Sequence, residues 1–189
     1  MTQKAFVLFV LVIGVLTTAD AAAPDVVDFT IVNRVQFSVP ANWPVIANKS
    51  TSEKTVFAFQ IPNSADEGTS DSSNLSIIAT DLKTAQDRDA FQTSPPSTDQ
   101  NAQEKKLVEG WRCTTFSAVQ HSTHTAYVIW DCRRVVADCG VSVRLAWPHL
   151  PKNPSDYDSQ MEMVLSNFLT SVGPFKGVPK DGVLHRQVN

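Results

Sequence analysis

Residues 111–147 read WRCTTFSAVQHSTHTAYVIWDCRRVVADCGVSVRLAW. Three runs rich in β-branched and aromatic residues (111–119, 125–136 and 141–147) are separated by two short polar stretches, His121-Ser122-Thr123-His124 and Ala137-Asp138-Cys139-Gly140. Runs of that length between turn-forming residues form an antiparallel meander of three strands. A first turn centred on Ser122-Thr123 sets Cys113 opposite Cys132, Trp111 opposite Arg134 and Phe116 opposite Ile129. Directly opposed strand residues hold their Cβ atoms about 4.5–5.5 Å apart, slightly more than a disulfide prefers. A Cys113–Cys132 bridge is therefore the first expectation, and Cys139 in the second turn is then a free thiol. A Cys132–Cys139 bridge is the alternative, although it does not match the register of the second hairpin, and the absence of any bridge is the third case.

A second turn at Asp138-Cys139 sets Arg112, Arg133 and Arg144 side by side across the three strands, on one face. The opposite face then carries Cys113, Trp130, Cys132, Val143, Leu145 and Trp147 and reads as core. Three aligned arginines repel one another unless something acidic joins them. One reading is an ion-pair network with Asp131, on the same face, or with a carboxylate from a covering helix. The other is a docking patch for a carboxylate, a phosphate or an acidic partner, which the guanidinium fork suits.

Outward from the meander, residues 29–32, 35–39, 55–61 and 75–80 alternate as strands. Residues 41–44 form a turn whose Trp43 folds back over the core, and the polar stretch 63–74 reads as a hairpin loop. Two helices are expected, over 81–92 and 98–109, broken by Pro95-Pro96 and stopped by Gly110. A closing helix starts at Asn153 as cap with Pro154 in its first position. Its apolar positions Tyr157, Met161, Val164, Leu165, Phe168, Leu169 and Val172 share one face. The acidic Asp156, Asp158 and Glu162 in its first turns complement the helix dipole. The expected architecture is α+β, an antiparallel sheet with covering helices, in a single domain over 24–172 with a tail over 173–189.

The motif Phe37-Ser38-Val39-Pro40-Ala41-Asn42-Trp43, the strand Asn74-Leu75-Ser76-Ile77-Ile78 and the hairpin 126–147, leading to a helix with Ser166-Asn167-Phe168, resemble the PsbP-like superfamily. That superfamily includes the extrinsic photosystem II subunit and the DcrB-type secreted proteins. The resemblance implies an α/β/α sandwich and a binding or assembly module rather than an enzyme. It carries no catalytic residue to this chain.

Composition narrows the function. The chain has 189 residues, 42% hydrophobic and 19% charged, which excludes a disordered protein. A net charge of −3 argues against a general nucleic-acid binder, whose footprint is basic. Seven glycines and no strand–Gly-rich turn–helix unit exclude a dinucleotide-binding fold. Lys4, the apolar run 5–16 and the small residues of Ala19-Asp20-Ala21-Ala22-Ala23 read as a signal peptide over 1–23, cleaved after Ala21 or Ala23. A spanning helix needs about 20 apolar residues, so this run is short for one. No second such run follows, so the mature chain is expected to be exported, secreted or periplasmic, without a transmembrane segment.

No nucleophile elbow, framed carboxylate pair or metal-binding His spacing stands out, so no catalytic residue, metal or cofactor is expected. His121 and His124 flank one turn, while His149 and His185 are isolated. Trp111, Trp130 and Trp147 fall on the core face, where they read as packing. Asn48-Lys49-Ser50 and Asn74-Leu75-Ser76 match the glycosylation sequon. The functional expectation is an exported binding or assembly module for an unknown protein or an anionic ligand, with Arg112, Arg133 and Arg144 as contact surface. A secreted hydrolase assembled from distant residues and a purely structural envelope protein are the alternatives.

Overall fold

A computed structural model describes residues 25–63, 71–177 and 186–187. The expected signal peptide, most of the loop over 63–74, and His185 with much of the tail lie outside the described residues. The chain runs β1 (Val26–Ile31), β2 (Val35–Pro40), β3 (Val45–Ser50), β4 (Lys54–Ile61), β5 (Ser73–Asp81), α1 (Ala85–Thr93), β6 (Gln103–Lys105), β7 (Arg112–Gln120), β8 (Thr125–Val136), β9 (Cys139–Pro148), α2 (Tyr157–Ser171), β10 (Gly173–Pro174) and β11 (Arg186–Gln187).

Alternation places the core. Along β4 and β5 every second residue is buried, including Phe57, Phe59 and Ile61 and then Leu75, Ile77 and Ala79. These strands join β9, β8 and β7 in a seven-stranded sheet of order β3-β4-β5-β9-β8-β7-β6. A four-stranded sheet, β10-β2-β1-β11, covers its inner face together with α2. Phe29 of β1 and Phe37 of β2 stack at 5.4 Å and meet Phe57 and Phe59 edge-on at 5.3–6.1 Å. Phe168 of α2 closes the cluster on Phe37 at 5.6 Å. Offset and edge-to-face rings at these distances add about 0.5–1.5 kcal/mol per pair to the area they bury.

The expected α+β sandwich is therefore corrected to a β-rich one, two mostly antiparallel sheets with two short helices. The physical reason lies in three segments. Residues 98–109 form no helix; their polar run has no apolar stripe to bury, and its centre instead joins β7 as the short edge strand β6, with all three residues exposed. The first hairpin belongs to the second sheet, and its phenylalanines do the covering expected of helices. Past Trp43, which packs on the core, the chain adds β3, a wholly exposed edge strand without alternation to announce it. The closing helix also starts later than expected, with Asp156 at its cap and Tyr157 as its first residue. Asn153 instead donates from Nδ2 to the carbonyl of Pro148 at 2.8 Å. Among the described residues no helix is long and apolar enough to cross a membrane.

Candidate functional site

The first hairpin of the meander sets Arg112 opposite Arg133 and Cys113 opposite Cys132, and the two cysteines are joined as a disulfide with Cα atoms 4.1 Å apart. The second hairpin turns one residue earlier than the sequence suggests. Ala137 and Asp138, both at positive φ (46° and 65°), form its tip, so β8 and β9 pair two positions away from the expected register. A slip of two residues preserves which face each side chain takes but changes its neighbour. Arg144 consequently stands opposite Asp131, and Arg133 opposite Ser142. The three arginines share the outer face of the large sheet, but they do not form a side-by-side row.

Each arginine has its own surroundings. Arg144 grips Asp131 through two parallel bonds, Nε to Oδ1 at 2.7 Å and Nη2 to Oδ2 at 2.8 Å. The hydrogen bond and charge of Asp131 raise the guanidinium pKa against the opposing effect of burial. The carboxylate is nearly buried and its partner 56% exposed, so Arg144 is held as the counter-ion of a nearly buried acid on the same face. Arg112 reaches across to α1, donating from Nη1 to the carbonyls of Gln92 and Ser94. That helix carries no basic residue in its last turn, so Arg112 supplies the cation its C-terminal carbonyls favour. Glu104 lies 3.8 Å from Arg112 Nη2 as a loose ion pair. Arg133 lies over the ring of Phe91, its guanidinium carbon 5.2 Å from the ring centre.

Phe91 is brought to this face by α1, whose start is secured by a reciprocal Thr84–Asp87 capping box. The ring sits where β9 carries Gly140: a Cβ there would lie 2.8 Å from two ring carbons. Next to it opens a cleft of about 220 Å³ lined by Phe91, Gln92, Gly110, Arg112, Arg133, Arg134 and Val135. Gly110, at φ +79°, bends the chain into β7, and a Cβ on it would lie 3.6 Å from Arg134 Nε. Arg133 Nε is buried and has no hydrogen-bond partner among the described residues.

Sequence reasoning placed Arg112 and Arg133 at this face and missed Arg134, Gly110 and Phe91. Strict alternation assigns Arg134 to the core face. Arg134 lies against Gly110, just before β7, and both line the cleft, a contact that alternation along one strand does not contain. The other marked residues lie elsewhere. Cys139 is a buried free thiol beside the Arg34–Asp81 ion pair (2.7 Å); burial pushes its pKa up and Arg34 works against that rise, which disfavours the reactive thiolate. His121 and His124 occupy the β7–β8 turn, and among the described residues no group of three or more His, Cys, Asp or Glu is arranged to hold a metal ion. His149 lies 3.6 Å from Asp158, whose other oxygen accepts from Trp147 Nε1 at 2.7 Å.

No protein-family model and no curated protein matches the sequence. Among solved structures, the Ran-binding protein Mog1p of Saccharomyces cerevisiae is similar at 10% identity, over 79% of this chain and 95% of that one, with a TM-score of 0.45. LpqN, involved in cell envelope biogenesis of Mycobacterium tuberculosis, is similar at 12% identity over 75% and 83%, with a TM-score of 0.40. A protein from Bacteroides thetaiotaomicron matches at 12% identity over 75% of this chain with a TM-score of 0.42, and there the chain spans 45% of the other protein's length.

Proposed function

We propose that the chain is an exported binding or assembly module whose contact site is the cleft of Arg112, Arg133 and Arg134, and that this site takes an anionic group. The observation that carries the reading is the convergence of three guanidinium groups on one cleft while only one of them, Arg112, has a carboxylate within ion-pair distance among the described residues. Arg144 belongs to Asp131 and stays outside the site. Guanidinium forks bind carboxylate and phosphate in two-point fashion, and the Phe91 ring and Val135 give the cleft an apolar wall for the body of such a ligand. The Cys113–Cys132 bridge supports export, since disulfides persist in oxidising compartments. It also ties together the residues that follow Arg112 and precede Arg133, holding the two strands in the register that sets Arg112 opposite Arg133.

Titration of the purified full chain with inorganic phosphate and with benzoate tests this. Both are expected to bind saturably and to lose affinity at least fivefold in Arg134→Gln, an exposed change that leaves the fold intact. Absence of saturable binding by either anion, or unchanged affinity in Arg134→Gln, overturns the reading.

A further inference from the structure

A second cleft of about 220 Å³ opens on the other side of Arg112, lined by Glu104, Lys105, Lys106, Trp111, Arg112 and Cys113. Arg112 lines both clefts, so Arg134 and Arg133 on one side of it and Lys106 and Lys105 on the other border adjoining clefts at the end of β6, β7 and β8. In a chain of net charge −3 this is a local concentration of cations. Opposing charge within it is sparse: Glu104 stands 3.8 Å from Arg112, and Glu162 of α2 reaches Lys105 at 3.9 Å. Both are loose, exposed pairs that contribute little and give way to a stronger anion.

We infer that these two clefts form one groove for an extended acidic segment of a partner protein, a proposal that rests on the anion-binding reading above. Two features favour a peptide strand. β6 is the terminal strand of the large sheet, and its three residues are exposed, so an extended segment alongside it meets main-chain groups as well as cations. A nucleic-acid strand would need free aromatic faces for its bases. Here Phe91 is covered by Arg133, Trp130 by Lys105 (5.4 Å), and Trp111 is buried. Carboxylates spaced along an extended chain, by contrast, match cations distributed along a groove.

The test compares inorganic phosphate, a hexaglutamate peptide and a single-stranded dodecanucleotide on the full chain, and repeats the first two on a Lys105→Gln/Lys106→Gln double variant. Hexaglutamate is expected to bind at least tenfold more tightly than phosphate, with strong salt dependence. The lysine variant should lose most of that advantage while its phosphate affinity stays unchanged. Hexaglutamate no tighter than phosphate, an unaltered lysine variant, or an oligonucleotide that binds as well as the peptide overturns the groove and leaves the anion site standing. Failure of both phosphate and peptide to bind overturns the anion site and the groove with it.

Discussion

Three arginines on one sheet face have been assigned different work by their immediate neighbours. Arg144 is fixed because Asp131 is buried and needs its two donors, whereas Arg112 donates to the end of α1 and Arg133 lies over Phe91 beside a cleft. Arg144→Ala should therefore cost about 1–3 kcal/mol, the penalty of leaving a buried acceptor without its partner. Urea denaturation checks that loss, and phosphate affinity should stay within twofold of the parent chain. A second residue-scale consequence concerns Asp71. Its carboxylate accepts from the hydroxyls of Thr125 at 2.6 Å, Thr123 at 2.8 Å and Tyr127 at 3.1 Å, tying the β7–β8 hairpin to the segment before β5. The bond from Thr125, helped by the other two hydroxyls and opposed by burial, holds its pKa below the ordinary carboxylate value. A depressed folded pKa means stability that is present above the unfolded pKa of roughly 4 and is lost as pH falls through the lower folded value. Urea midpoints should fall between pH 6 and pH 3 by less in Asp71→Asn than in the parent chain. An identical decline in both would remove Asp71 from the acid response.

At the scale of elements, the meander shows what sequence can reveal. The β7–β8 register was legible because a symmetric polar turn lay between two runs of clear length, and the cysteines fell into opposition from it. The β8–β9 register was not, because nothing in Ala137-Asp138-Cys139-Gly140 says whether its glycine belongs to the turn or to the strand. Its lack of a side chain serves another purpose: the glycine lies in β9 beneath Phe91, and the turn's positive φ angles belong to Ala137 and Asp138. Only a contact between segments distant in sequence, α1 and β9, explains the glycine, and no local pattern contains it. The resulting error of two residues conserved every face and displaced every neighbour. Gly140→Ala tests this account of the glycine. A methyl there must push the Phe91 ring aside, at about 1–3 kcal/mol for overpacking. Because Phe91 walls the cleft, phosphate affinity should fall as well. Gly177→Ala, where a Cβ meets open space but φ is +89°, would instead bring backbone strain without any change in binding.

For the whole molecule, the balance between helix and sheet depends on which surfaces can cover the large sheet. Length, alternation and the apolar stripe of α2 were enough to foresee one antiparallel sheet under a closing helix. They did not show that β1 and β2 would leave that sheet to form a second one, since an alternating strand reads the same in either. What separates them is the ring cluster of Phe29, Phe37, Phe57, Phe59 and Phe168, which forms only when the two sheets face each other with α2 alongside. Phe37 touches all four other rings and is 1% exposed, so it links the first hairpin, β4 and the helix. Phe37→Ala should cost about 3–5 kcal/mol, while Val119→Ser, at an exposed position of β7, should stay within about 0.5 kcal/mol. Thermal unfolding distinguishes a shared core from two adjoining sheets. If the cluster joins them, Phe37→Ala lowers the midpoint of a single transition, with near-ultraviolet and far-ultraviolet dichroism changing together. A variant in which the small sheet melts first, leaving the signal of the disulfide-bridged meander at its original midpoint, would show that the large sheet and α2 hold their fold without the covering hairpin.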